Sequence, residues 1–214
     1  MRVLRMITVG GAALMLMGIG SQAQLSEQGP EDTAQTPSVV VVNAEPPATK
    51  LERFALTKDA LIVRGSSDAG QVQGEDQSSV SVAAAQFVNA ATGEKAFGLL
   101  VTIHSGRAGE RQAVAYVDED EIDALATGID ALAKLDRSGM TMPDFEGRYC
   151  TRGNLELLNS KADGARTAVV RSAQTLPLSG QRFTAVAHLP LSRLDEIRQR
   201  IITGKQALER AKAQ

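Results

Sequence analysis

The strand-to-helix junction of this chain occurs twice. Residues 113–129 and 185–201 align without a gap at an offset of 72 residues and share five identities in 17 positions. Ala113, Val114, Ala115, Asp123 and Ile129 match Ala185, Val186, Ala187, Asp195 and Ile201. Self-similarity at a fixed offset marks one supersecondary unit used more than once. The expectation is an internal duplication of a (β3-4)α unit, three or four antiparallel strands followed by a covering helix. Half 1 would span about 51–138 and half 2 about 139–214.

Short apolar runs bounded by turn residues place the strands. In half 1 these are 54–64, 79–90, 96–104 and 112–117, with 65–78 read as a Gly- and Ser-rich loop. In half 2 they are 145–151, 154–159, 165–173 and 182–188. The links between them are too short for parallel crossovers, so the sheet should be antiparallel. Helical spacing appears in Ile122, Leu125, Ile129 and Leu132, predicting a helix over 119–136, and in Leu194, Ile197, Ile201 and Leu208, predicting one over 192–212. The expected fold class is α+β: a mostly antiparallel β-sheet with two amphipathic helices over residues 51–214.

The stretch ahead of that domain carries an address. Arg2 and Arg5 precede an uncharged, mostly apolar run, 6–20, and then the small-x-small tripeptide ending at Ala23. This is the pattern of a secretory signal peptide, predicted to occupy 1–23. Arginines that are not adjacent, and no cysteine directly after the run, point to the general secretory route and a periplasmic or secreted protein. The run is short for a membrane span, so no integral membrane protein is expected. Residues 24–50, with prolines at 30, 37, 46 and 47, read as a disordered tether. Four valines, 39–42, interrupt it and could add as an edge strand to a sheet.

Composition narrows the partners. A formal net charge of -2 and only two tyrosines, five phenylalanines and no tryptophan speak against nucleic acid and against sugar rings stacked on aromatic faces. One cysteine allows no internal disulfide.

Three features carry candidate chemistry. The acids Asp118, Glu119, Asp120, Glu121 and Asp123 could crowd around Ca²⁺, but they lack the spacing of a calcium loop. They fit helix initiation better, with Asp118 or Asp120 accepting from first-turn N–H groups. Cys150 lies between Arg148 and Arg152, which on a strand would share its face and favour a thiolate; the alternative is an inert thiol buried in the sheet. His104 is followed by Ser105, and His188 ends a strand, yet no nucleophile elbow, zinc spacing or phosphate-binding loop accompanies them. No residue is assigned a catalytic, cofactor-binding or metal-ligating role, and no cofactor is expected.

The helices carry unlike charge, net -5 over 118–137 and net +3 over 193–212, a pattern that could steer the halves or a second copy together. Gly204, in the second helix, would allow a close approach or mark a bend. The functional expectation is an exported, non-enzymatic module that binds a protein partner or its own copy, using available sheet edges. The alternative is a carrier of a small apolar ligand held between sheet and helices by the small side chains 79–85 and by Gly98, Leu99 and Leu100.

Overall fold

The computed structural model describes residues 47–106, 111–136, 141–142, 144–162, 165–175 and 181–214. The expected leader 1–23, the tether up to 46 and its valines 39–42 lie outside the described residues, as do parts of the loops after His104 and after the first long helix.

Each half is a four-stranded antiparallel meander followed by a helix. The first sheet has β1 (Ile62–Gln73), β2 (Ser79–Asn89), β3 (Lys95–His104) and β4 (Gln112–Asp118), in that spatial order. A single 3₁₀ turn, Glu119–Glu121, leads into α2 (Ile122–Lys134). The second sheet has β5 (Phe145–Cys150), β6 (Leu155–Ala162), β7 (Ala165–Thr175) and β8 (Arg182–Pro190), again in order, and α3 (Arg193–Lys212) ends the chain. A short helix, α1 (Lys50–Ala55), precedes β1. Among the described residues no helix is long and apolar enough to cross a membrane.

Strand pairing shows how closely the halves match. In the first sheet Val80, Val82 and Ala84 pair with Ile103, Val101 and Leu99, which pair in turn with Ala113, Ala115 and Val117. In the second, Leu155, Leu157 and Asn159 pair with Ser172, Val170 and Ala168, which pair with Ala185, Ala187 and Leu189. All eighteen are buried and form two equivalent sets of inward positions. Alanines on β4 and β8 let the two sheets approach there, where β3 and β4 meet β7 and β8.

The helices are exchanged. α3 lies on β1, β2 and β3 of the first sheet, α2 lies on β5 and β6 of the second, and the two helices pack side by side. Each helix thus covers the sheet of the opposite half rather than its own. Size is traded in register. Gly128 of α2 faces the Tyr149 ring on β5; at the equivalent place, Arg200 of α3 faces Gly70 on β1, and a Cβ on Gly70 would lie 3.0 Å from three Arg200 atoms. Leu132 of α2 faces Gly147, and its counterpart Gly204 sits where a Cβ would come within 2.7 Å of Leu99 Cδ2. The space expected to hold an apolar ligand is the place where Gly204 comes down onto Leu99, Ala69 and Val82.

Two assignments change. Residues 54–64 are not a strand: α1 occupies their start and β1 begins only at Ile62. Most of 65–78 is not a loop but β1 itself, which has a bulge at Asp68/Gly70, where Gly70 takes φ +108°. Small residues form this strand because β2 templates it and because α3 must come close to its inner face.

The exchange extends to the hairpin turns. In the β1–β2 turn, Glu75 N donates to His188 O at 2.7 Å, and Gly74 has no room for a Cβ beside that carbonyl. The β5–β6 turn places Gly153 in the same way against the carbonyl of Tyr116, the residue matching His188 at the offset of 72. The outer edges of β4 and β8, expected to be available for pairing, are therefore partly covered by the turns of the opposite half.

Candidate functional site

Part of the outer face of the first sheet, over β2, β3 and β4, is covered by α1. Thr49 caps α1 by accepting from Glu52 N at 3.0 Å, and Glu52 accepts in return from Ala48 N. Leu51 of this helix, with Phe54 and Ala55 beside it, packs on Ala85, Phe87 and Leu100 as a second apolar cluster.

Asp118 anchors that helix. It is buried, and its two carboxylate oxygens accept from Lys50 N at 3.0 Å and Leu51 N at 2.8 Å. This corrects the expectation that Asp118 or Asp120 caps the helix following it: Asp118 makes no side-chain cap bond there. It serves the first helix because β4 ends beneath that helix's N-terminus.

The remaining acids are paired within the chain. Glu119 meets Lys212, Asp120 meets Lys50 and Arg152, Glu121 meets Arg152, and Asp123 meets Lys205. Lys205 and Lys212 come from α3, so the opposite charges of the two helix segments meet inside one molecule. A cleft of about 880 Å³ borders this network, with Lys50, Phe54, Phe97, Asp118, Asp120 and Lys205 among its walls. Among the described residues, no three His, Cys, Asp or Glu side chains are grouped so as to hold a metal ion.

The outer face of the second sheet differs. Among the described residues no helix covers it, and it holds a cleft of about 400 Å³. Cys150, Glu156 and Arg171 are neighbours across β5, β6 and β7 in register. Glu156 is nearly buried and is gripped from two sides by Arg148 and Arg171. Cys150 Sγ lies 3.7 Å from Glu156 Oε1 and donates weakly to it. The bond from Arg171 holds the Glu156 carboxyl below the usual carboxylate range; Arg148 adds to the pull and burial opposes it. Arg182 and Thr184 line the same cleft, while the buried Ser172 hydroxyl, on the inner face of the sheet, has no hydrogen-bond partner among the described residues.

Cys150 is exposed, not buried in the sheet. Only Arg148 stays beside it. β5 stops at Cys150, so strand alternation no longer applies to Arg152, which turns away to Asp120 and Glu121. The histidines do not converge: by strand alternation His104 stands on the outer face of the first sheet and His188 on that of the second. The Ser105 hydroxyl accepts from Val186 N at 2.8 Å, which binds it to the edge of β8. Glu156 and Arg171 were not singled out from the sequence; the only signal was charge at alternate strand positions, and recognising the pair requires the register of three strands.

No model of a known protein family matches this chain, and no curated protein is significantly similar to it.

Proposed function

We propose that this protein is exported by the general secretory route and acts as a non-enzymatic module that binds a protein partner on the outer face of its second sheet. One observation carries the reading. The two halves repeat strand for strand, yet the face that α1 partly covers in the first half has no covering helix among the described residues in the second. The partner's contacting segment is acidic, because the face presents Arg148 and Arg171 on one nearly buried carboxylate, Glu156, with Arg182 further along β8. Complementary charge of this kind steers encounter and fixes register more than it adds affinity.

A photo-crosslinking residue at Val169, in the centre of the face, tests this in the producing cells, with the same residue at the exposed Gln199 of α3 as control. A discrete protein adduct is expected at 169 only, weakened when Arg148 and Arg182 are replaced by Glu. Equal labelling at both positions would refute the proposal. Export is read from the same material, whose N-terminus should be Gln24.

A further inference from the structure

The edge strands of the two sheets are β1, β4, β5 and β8, and only β1 is left long and open among the described residues. β4 and β8 are partly covered by the turns of the opposite half, and β5 is six residues long with Glu146 and Arg148 within it, both ways of blunting an edge. β1 runs for 12 residues without Pro or Lys, and 63–68 are exposed throughout. A Cβ built on Gly65 would meet nothing within 4 Å, and Leu61 and Val63 are exposed apolar side chains at the start of the strand.

The ladder to β2 decides what the free edge offers. Ala90 N donates to Leu61 O at 2.9 Å, so by antiparallel alternation Val63, Gly65 and Ser67 bond to β2. The N–H and C=O groups of Ile62, Arg64, Ser66 and Asp68 therefore point away from it. Arg64, Ser66 and Asp68 pair with Phe87, Ala85 and Ala83, which sets their side chains on the outer face. Among the described residues neither Arg64 nor Asp68 has an ion-pair partner; Asp68 accepts from Gly70 N at 2.9 Å.

We propose that β1 pairs antiparallel with β1 of a second copy of this chain, about a two-fold axis at Ser66, joining two first sheets into one. In this register Ser66 faces Ser66 of the second copy, and Arg64 and Asp68 face its Asp68 and Arg64. Opposite charges then meet on both sides of the axis, as a self-complementary interface requires. An axis at Arg64 would set like charge against like, and one at Gly65 would leave Arg64 facing Ser66 and Asp68 facing Ile62. This surface is separate from the partner face of the second sheet.

Sedimentation velocity of the protein purified from producing cells should show a monomer–dimer equilibrium at micromolar concentrations. Arg64→Asp and Asp68→Arg should each weaken it by roughly tenfold or more, since each turns two attractive pairs into two repulsive ones. Mixed in equal amounts, the two variants should dimerise again, because each supplies the charge the other lacks. A second measurement leaves Asp68 and its bond to Gly70 N untouched. With the sole native thiol removed by Cys150→Ser, Ser66→Cys should oxidise to a disulfide-linked dimer. Arg64→Cys should not, because its two copies would stand roughly 14 Å apart along the strands. A chain that stays monomeric throughout, or a dimer indifferent to both charge reversals and to the position of the thiol, overturns the proposal. A disulfide from Ser66→Cys to a different protein also overturns it, and gives the edge to a foreign strand.

Discussion

Replacing Gly204 by Ala tests the exchange of helices at its tightest point. Gly204 is in the interior of α3, where Ala is the better helix former by about 1 kcal/mol. Opposing this, the new methyl would stand 2.7 Å from Leu99 Cδ2, with Ala69 and Val82 at 3.6 Å, and Leu99 is fully buried. Overpacking of that kind costs about 1–3 kcal/mol, so the single substitution should destabilise by about 0–2 kcal/mol. Leu99→Val removes the atom in the way and alone costs about 1 kcal/mol for the lost methylene. In that background Gly204→Ala should change sign and stabilise by about 1 kcal/mol. Urea unfolding of the four proteins, with midpoints compared at constant slope, gives the coupling. If the two effects add to within about 0.5 kcal/mol, Gly204 does not meet Leu99, and the packing of α3 on the first sheet is wrong.

Two further substitutions address the carboxylates. Asp118→Ala leaves Lys50 N and the buried Leu51 N without their acceptor and should cost about 1–3 kcal/mol in unfolding stability; a change below about 0.5 kcal/mol would mean α1 is not anchored there. Glu156→Gln addresses pH. The folded carboxyl is depressed relative to its ordinary value of 4.5, so its stabilising share is present above that value and is lost as pH falls through the folded one. The gap in urea midpoint between the native chain and Glu156→Gln should therefore be constant near neutrality and close in acid below about pH 4.5. A gap that ignores acid would dissociate Glu156 from its arginines.

Strands with an apolar inner face were legible because their inward residues are large or β-branched: Val80, Val82, Leu99, Val101 and Ile103 declare β2 and β3. β1 was not, because its inner face carries Ala69 and Gly70, whose smallness is explained only by the Arg200 and Gly204 that come to rest on it from a distant helix. The β1–β2 turn was hidden as well. Its central residues Asp76 and Gln77 both have positive φ, the geometry of a type I′ connection, without the glycine that normally advertises one. α1 could have been read: Thr49 followed by Glu52 is a helix-start signal, and Leu51, Phe54 and Ala55 have helical spacing. The repeat at 72 residues was visible, but which sheet each helix covers was not, since one apolar stripe fits either sheet. That choice lies in paired sizes, Tyr149 with Gly128 and Arg200 with Gly70, which are contacts between segments far apart in sequence.

The charge pattern changes meaning for the same reason. Summed along the chain, an acidic first helix segment and a basic second one suggested surfaces waiting for partners. In three dimensions Asp123 and Glu119 are spent on Lys205 and Lys212, and Asp120 and Glu121 on Arg152. Exposed pairs of this kind stabilise little, but because these charges are matched within the chain they leave little field for docking. The docking face we propose lies instead where chain sums conceal it. Arg148, Arg171 and Arg182 belong to three different strands, each too mixed in charge to stand out, and only the antiparallel register sets them on one face, the first two on the Glu156 carboxylate.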